Sequence, residues 1–410
     1  MTKILIISKE PVTGDPRGAG IRYFNFALYL SSFYDVTIIA PGKTEGESFK
    51  IERYSTRNLA RHLKNADICI YDGSRFFSVY PLLAKFKGRL IIDLFPSLFE
   101  DRLYLPSWAY LRQQIKYKEM FKLGDSFLVL NQAAKEYFSK MAGQKRIDVV
   151  PFGLSGEFKH KKNVMKGVLP AIGLNDKVLL SYGRLASWYD PITLIKAYKL
   201  LDQSHPGVKL VFLGAGNVDR LQSKQLNDRL STELDTIKDK AIFIDWVDYA
   251  EVGNYLLEAD IAAIAHLPSD EAKYSFRIRA LDLIKAKLPF VISEGGMISD
   301  LIKAHGGGAV IPAGDPQAMA QAAAKLLDDQ KYYQGAKNAL MELGRSFQWG
   351  DVLKPLKEIC GRSSAILVKK PGLFVLLGYY VLSIPLEFAY GLLKVYDLIR
   401  SWIFKKRIRA

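Results

Sequence analysis

Short runs of apolar, mostly β-branched residues alternate with helical patterns twice along this chain, and this alternation restricts its possible folds most strongly. The first series contains KILIIS, DVTIIA, ADICIYD, RLIIDL, SFLVLN and IDVVPFG, and the second contains KVLLSYG, VKLVFLG, AIFIDWV, DIAAIAH, PFVIS and GAVIP. Nearly continuous apolar strands separated by helices indicate parallel sheets that are covered on both faces. We therefore predict two doubly wound α/β domains, at residues 1–155 and 170–345.

A polar and basic stretch, residues 155–173, separates the two series and carries no clear helix or strand. We interpret it as the linker between the domains. Residues 346–368 follow the second series, and we expect them to form a closing helix and a short connection. Ligands of doubly wound sheets bind at the carboxyl ends of the strands, so two facing domains predict a binding cleft.

The formal net charge of +16 favours anionic partners, such as nucleic acid, an acidic membrane surface or phosphorylated substrates. No recognised nucleic-acid-binding module is present, so we expect no nucleic acid partner. The two cysteines imply neither a disulfide framework nor a cysteine metal site. The N-terminal apolar run is too short for a signal peptide, which predicts a cytoplasmic catalytic body.

Residues 369–410 differ in kind from the rest of the chain. Their uncharged run from Pro371 to Leu386 is shorter than the roughly twenty residues of a spanning helix, and Pro385 interrupts it. Lysines and arginines flank the segment on both sides, and a helix lying on the surface keeps both basic groups on an anionic leaflet. We therefore favour a monotopic anchor on the cytoplasmic side of the membrane over a true span or a soluble partner-binding helix.

The stretch SKEPVTGDPRGAGIRYF joins the first strand to the first helix, and it contains Gly18 and Gly20. Glycines let the backbone approach a ligand closely, and a helix N-terminus attracts phosphate. The plain alternative is a pair of turn glycines that only reverse the chain direction.

Two arginines stand near the predicted start of a helix in the stretch SDEAKYSFRIRALDLIKAKLPFVIS. We predict Ser275 as the N-cap, which places Arg277 and Arg279 in the first turn. Cations are disfavoured there, but a bound pyrophosphate would accept hydrogen bonds from both the helix N–H groups and the guanidinium groups. Alternatively, Arg279 pairs with Asp282 at i,i+3 and Arg277 extends into solvent.

The order of several motifs resembles the family 4 glycosyltransferases, which have the two-Rossmann-domain GT-B fold. The motifs are RGAGIRYFNFALYLS, IIDLFPSLFE, VVPFG, YGRLASWYDPITLIKAYKLL, KLVFLGAG, FIDWV and ADIAAIAHLPSDEAKYSFRIRALDLIKAKLPFVIS. Signatures of one subgroup match the segments Trp188–Pro191 and Phe276–Arg279. The resemblance implies transfer of a sugar from a nucleotide-sugar donor, with retention at the anomeric carbon and no cofactor or required metal.

In that family, two glutamates eight positions apart flank the donor, the first at the donor sugar and the second at the nucleotide ribose. Alignment on Pro289 places the second acid at Asp282 and the first at Tyr274, which is not an acid. We therefore expect Glu271 to orient the sugar in its place, with an exposed loop acid as the alternative.

The resemblance also assigns the cations of the site. Arg184 matches the arginine of the family's basic pair, but the lysine is missing, and Arg277 and Arg279 are expected to supply its charge. Together with the helix N-terminus at Ser275 and the Gly18–Gly20 loop, they would stabilise the negative charge on the leaving diphosphate in place of a metal.

Four further residues are candidates for contacts with the substrates. Asp93 ends a strand and is predicted to contact the acceptor hydroxyl as a base, unless it is a helix or turn cap. His266 ends another strand and is a candidate for catalysis, with a structural histidine as the alternative. Trp188 is predicted to stack on a base or sugar and Trp246 to line the nucleobase pocket, and packing is the alternative for both.

The expected function is therefore that of a membrane-associated, retaining glycosyltransferase. Its donor would be a nucleotide-sugar, and its acceptor a lipid-linked or other saccharide in the assembly of a surface polysaccharide or glycolipid. Two alternatives stay open: a nucleotide-sugar epimerase of the same fold, and a non-catalytic basic scaffold at the membrane.

Overall fold

The computed structural model describes residues 1–12, 20–41, 48–73, 76–94, 107–183, 189–214 and 224–362, together with Pro385 and Phe388. The strands of the first domain are β1 (Lys3–Ile7), β2 (Asp35–Ala40), β3 (Lys50–Arg53), β4 (Ile68–Tyr71), β5 (Arg89–Asp93), β6 (Ser126–Val129) and β7 (Arg146–Val149). Its helices are α1 (Gly20–Leu30), α2 (Thr56–Asn65), α3 (Phe76–Ala84), α4 (Ser107–Leu123) and α5 (Gln132–Ala142).

The strands of the first domain form one parallel sheet in the order β3-β2-β1-β4-β5-β6-β7. All four residues of β4 are buried, because helices cover both faces of the sheet, and this explains why the strands are apolar without alternation. The register places Leu5 of β1 beside Thr37 on one side and Cys69 on the other. The strand order reverses between β1 and β4, which is where a doubly wound sheet opens its binding crevice.

The second domain repeats this arrangement. Its strands are β8 (Lys177–Tyr182), β9 (Val208–Leu213), β10 (Ala241–Ile244), β11 (Ile261–Ile264), β12 (Phe290–Ser293) and β13 (Gly308–Ile311). They form a parallel sheet in the order β10-β9-β8-β11-β12-β13, so its strand order reverses between β8 and β11. The sequence-based prediction of two doubly wound parallel sheets is confirmed.

Helices connect the strands of the second domain and continue beyond the last strand. They are α6 (Pro191–Ser204), α7 (Lys224–Asp235), α8 (Tyr249–Glu258), α9 (Asp270–Tyr274), α10 (Ile278–Ala286), α11 (Met297–His305), α12 (Pro316–Asp328), α13 (Gln330–Ser346), α14 (Trp349–Val352) and α15 (Lys354–Gly361). Asp190 caps α6 by accepting a hydrogen bond from the Thr193 amide, and Pro191 follows at the first helical position, a favoured start for a helix.

The linker region carries no helix or strand, in agreement with the sequence, but it is fixed to the second domain. The Glu258 carboxylate accepts hydrogen bonds from the backbone N–H groups of Val164, Met165 and Lys166, at 2.5, 2.9 and 2.8 Å. Met165 is fully buried beside this contact. The linker therefore leaves the first domain as a segment that is packed onto α8.

After α13 the chain returns to the first domain. Leu154 and Gln348 form an isolated parallel bridge, and Arg89 of β5 donates hydrogen bonds to the carbonyl oxygens of Ile359 and Arg362 at the end of α15. A guanidinium group at this position complements the negative end of the helix. The C-terminal tail thus begins at a segment that is fastened to the first domain.

The predicted membrane segment, residues 369–410, lies outside the described residues except for Pro385 and Phe388, which are helical, and Phe388 is exposed. In the part of the chain that the structure describes, no helix has the length and apolar character needed to cross a bilayer.

Candidate active site

A small cavity opens at the carboxyl ends of β8 and β11, where the strand order of the second sheet reverses. Its walls combine apolar and polar side chains. It is lined by Ser181, Tyr182, Gly183, Tyr189, Asp190, Pro191, Leu194, Ala263, Ile264, Ala265, Arg277, Arg279, Ala280 and Leu283. Both arginines singled out in the sequence therefore reach the crevice expected to bind a ligand.

Arg277 lies in this wall with its charge already paired. Its Nη1 and Nη2 atoms donate to the two oxygens of Glu271, at 3.0 and 2.7 Å, and only 7% and 3% of the two residues are exposed. The guanidinium group also faces the ring of Tyr189, 5.1 Å from its centroid. The alternative that Arg277 extends into solvent is therefore wrong, and its predicted contact with a diphosphate stays a prediction.

The helix boundaries differ from those predicted. Ser275 is not an N-cap: it is the C-cap of α9, and its amide donates to the Glu271 carbonyl. A separate helix, α10, begins at Ile278, with Arg277 at its N-cap position and Arg279 in its first turn. The reason is that Ser269 caps the earlier helix through the Ala272 amide, so the chain forms two short helices in place of one.

Glu271 is likewise not an exposed loop acid. It lies in the first turn of α9, is buried, and has both carboxylate oxygens engaged by Arg277. In this arrangement Glu271 fixes the orientation of the guanidinium group. Its predicted contact with the donor sugar stays a prediction.

Arg279 lies against the backbone at Gly183, directly after β8. A Cβ atom at Gly183 would sit 1.6 Å from Nη1 of Arg279, and the φ angle there is +120°, so only glycine fits. The Arg279 guanidinium group lies 5.9 Å from the ring centroid of Tyr182. No role for Gly183 was predicted from the sequence, although a glycine directly after an apolar strand is a signal for such a close approach.

His266, the residue after Ala265 of the cavity wall, is buried to 1% exposure, and neither ring nitrogen has a hydrogen-bond partner in the described part of the chain. Burial and the nearby Arg277 charge lower the pKa of His266 to about 4, opposed by the Glu294 backbone. The ring is therefore neutral near pH 7, when one nitrogen donates and the other accepts. This is compatible with either of its predicted roles.

Asp282 faces inward from α10 and is held by two tyrosines. Tyr182 donates to one carboxylate oxygen at 3.1 Å and Tyr249 to the other at 2.6 Å. Burial raises the pKa of Asp282 from 3.8 to about 6, although the two hydrogen bonds lower it. Asp282 thus holds Tyr182 in the cavity wall. The alternative ion pair between Arg279 and Asp282 does not form. The predicted contact of Asp282 with the nucleotide ribose stays a prediction.

We expect Asp282→Asn to change the pH dependence of stability. Because the folded pKa is raised, the proton on Asp282 stabilises the fold fully below about pH 4, and this contribution is lost as the pH rises through about 6. Urea unfolding from pH 4 to 7.5 should therefore show wild type losing stability relative to the variant across that window. His266 is present in both proteins, so its effect on the pH dependence of stability cancels in the comparison. Parallel curves of unfolding free energy against pH for the two proteins would contradict the raised pKa of Asp282.

Asp93 is fully buried at the end of β5 in the first domain. Its oxygens accept hydrogen bonds from Arg22 Nε at 2.7 Å, Arg22 Nη2 at 3.1 Å and the Tyr23 hydroxyl at 3.0 Å. The Arg22 guanidinium group also donates to the Pro151 carbonyl at 3.0 Å. This geometry makes Asp93 a residue that fastens α1 to β5, and its predicted contact with the acceptor hydroxyl stays a prediction.

Gly20, the first residue of α1, does allow a close approach, but to backbone. A Cβ atom there would lie 2.2 Å from the Pro11 carbonyl oxygen. Gly18, Arg184 and Trp188 lie outside the described residues, and their predicted roles stay predictions. Trp246 follows β10 and is 58% exposed, so the alternative of core packing is wrong for this residue.

A second cavity lies between the two domains. Asn131, Gln132, Ala133 and Val149 line it from the first domain; Lys273, Gly295, Gly296, Met297, Asp300 and Leu301 line it from the second. Among the residues that the structure describes, no group of three or more His, Cys, Asp and Glu side chains is arranged to hold a metal ion.

Comparison with known proteins agrees with this geometry. The family model of the Glycosyl transferases group 1 matches residues 170–340. The uncharacterized glycosyltransferase YqgM of Bacillus subtilis is 23% identical over 309 residues, which covers 72% of this chain and 80% of YqgM. Residues 170–340, which make up most of the second domain, therefore match a glycosyltransferase group 1 domain.

Two solved structures resemble the chain over most of its length. Sucrose-phosphate synthase from Thermosynechococcus elongatus is 14% identical with a TM-score of 0.66, covering 88% of this chain and 98% of its own. Anabaena Alr3699/HepE, in complex with UDP and glucose, is 15% identical with a TM-score of 0.65, covering 88% of this chain and 100% of its own. The fold is thus GT-B-like, with two parallel sheets of Rossmann type.

Proposed function

We propose that the protein is a retaining, metal-independent glycosyltransferase that takes its sugar from a nucleotide-sugar donor. The observation that carries this proposal is the position of Arg277 and Arg279 in the wall of the cavity at the β8–β11 switch point of a group 1 domain. Anabaena HepE has been crystallised with UDP-glucose, and its likeness in fold supports a donor of this class.

The chemistry follows from the charge that develops in the reaction. Breaking the bond between the sugar and the diphosphate leaves negative charge on the departing phosphate oxygens. Guanidinium groups fixed in a partly buried cavity stabilise that charge, because they need little reorganisation when it appears. Arg277 and Arg279 fit this task, and we include Arg184 and the Gly18–Gly20 loop in the proposal on the sequence resemblance.

The cavity between the domains is our proposed site for the acceptor. It combines apolar contacts from Val149, Met297 and Leu301 with polar groups from Gln132 and Lys273. We propose a lipid-linked saccharide as the acceptor and the cytoplasmic face of the membrane as the location. The support is the apolar, basic-flanked sequence of residues 369–410, which follows a segment that Arg89 fastens to the first domain.

Thermal-shift measurements with UDP-, GDP- and dTDP-sugars test this proposal on the full chain and on a chain ending at Arg362. We expect one donor to stabilise both chains, by about 2.7 kcal/mol at 100 times its Kd. EDTA should change neither the shift nor the turnover, and only the full chain should sediment with anionic phospholipid vesicles. No response to any donor would instead favour a non-catalytic scaffold, and sedimentation of the shorter chain would contradict the role of the tail.

A further inference from the structure

The Asn131 side chain connects the two domains. Asn131 follows β6 in the first domain and is 2% exposed. Its Oδ1 atom accepts a hydrogen bond from the Ala134 amide at 2.7 Å, which makes it the N-cap of α5. Its Nδ2 atom donates across the interface to the carbonyl oxygens of Ser275 at 3.1 Å and Lys273 at 3.4 Å. One side chain therefore caps a helix in one domain and binds the backbone of the other.

The carbonyl groups that receive these hydrogen bonds lie at the end of α9. The last carbonyls of a helix have no partner within the helix, and α9 ends at Tyr274. Buried carbonyl groups need a donor from elsewhere, and the first domain supplies it. The end of α9 is therefore completed only when the two domains are in contact.

Aromatic contacts hold the same segment on either side of Asn131. The rings of Tyr137 in α5 and Tyr274 have centroids 5.0 Å apart, and those of Phe152 and Phe276 have centroids 5.8 Å apart. Residues 273–276 are thus fixed against the first domain by both polar and apolar contacts.

The segment held in this way carries the charged pair of the candidate active site. Glu271 lies within α9, and Arg277 directly follows Phe276 at the wall of the cavity. A displacement of the first domain would therefore also displace Arg277, because the backbone connects the two. Glu271, the partner of Arg277, lies on the same short segment. The two side chains are joined by two hydrogen bonds, so they would move as a unit.

We infer that Asn131 is a positioning residue: it fixes residues 271–277 and so holds Arg277 where the donor diphosphate binds. This rests on the proposed function. It makes productive donor binding depend on contact between the domains, through one side-chain amide group of the first domain.

Two variants separate this role from helix capping. Asn131→Ser and Asn131→Asp both keep a good N-cap oxygen for α5, but neither carries the Nδ2 amide group that donates to the Ser275 and Lys273 carbonyls. Ser55→Ala is the matched control, because Ser55 caps α2 through the Asn58 amide within the first domain. This control removes a cap without touching the interface.

Hydrogen exchange of the full chain without ligand is the first measurement. We expect the amides of residues 272–277 to exchange about five times faster in Asn131→Ser, as the loss of one ordinary hydrogen bond predicts. Exchange in α5 should stay unchanged, and Ser55→Ala should affect α2 alone. Unchanged exchange at residues 272–277 would overturn the inference.

Steady-state kinetics with the donor identified by thermal shift is the second measurement. We expect kcat to fall about 10- to 100-fold in both variants, with a smaller change in the KM for the donor, because the reacting groups are misplaced while the protein stays folded. Faster exchange with wild-type kcat would overturn the positioning role. If the wild type turns over no nucleotide-sugar, the proposed function fails, and the exchange experiment alone then supports or overturns the fixing of residues 271–277.

Discussion

Replacing Arg277 by methionine is expected to abolish donor turnover and to destabilise the protein at the same time. The variant leaves the Glu271 carboxylate 3% exposed with no compensating charge, and removing one partner of a buried ion pair costs about 3–5 kcal/mol. The loss of a fixed group that stabilises developing charge lowers kcat by about 100- to 1,000-fold. Urea unfolding and donor turnover measure the two effects.

A double variant separates these effects. Glu271→Gln together with Arg277→Met removes the whole ion pair, and neutral side chains in place of both partners are often nearly neutral for stability. We therefore expect the double variant to recover most of the free energy of unfolding while turnover stays lost. Recovery of turnover together with stability would show that Arg277 is only a structural partner of Glu271.

Replacing Asp93 by alanine should cause the largest loss of stability in the first domain. The ion pair with Arg22 is fully buried on both sides, and Tyr23 shares the carboxylate. We expect the free energy of unfolding to fall by about 3–5 kcal/mol, because Arg22 would keep its charge in the core without a carboxylate partner. Urea unfolding measures this loss.

Asp351→Ala is the matched control for Asp93, since its partner Lys354 and Asp351 itself are both largely exposed. Exposed pairs contribute about 0–1 kcal/mol, so the control should unfold almost as wild type does. Turnover per folded molecule should survive in Asp93→Ala. A folded Asp93→Ala protein without turnover would instead support the sequence-based prediction that Asp93 is a base.

The parts of the fold that depend on local pattern could be predicted from the sequence. Strands buried on both faces are apolar throughout, so β1, β4 and β11 were visible as continuous runs, and their alternation with helices fixed the doubly wound class. Asp190 followed by proline was a capping signal that the structure reproduces. The arginines near the start of α10 were also visible, because cations are unusual there.

Other features depend on contacts between residues that are distant in the chain. Asp93 was recognised at its strand end, but its partner Arg22 lies 71 residues away, so no local pattern showed the pair. The five-residue helix α9 is too short to produce a helical period, which is why Ser275 was assigned to the wrong end of a helix. Asn131 has the residue type of an N-cap, but only the arrangement of the domains shows its hydrogen bonds to α9.

A crystal structure with UDP or GDP bound would test the central claim most directly. The account predicts the diphosphate in the cavity between β8 and β11, with phosphate oxygens about 3 Å from guanidinium nitrogens of Arg277 or Arg279 and no metal ion bridging them. A diphosphate bound elsewhere, or held there through a metal ion with both arginines turned away, would contradict it.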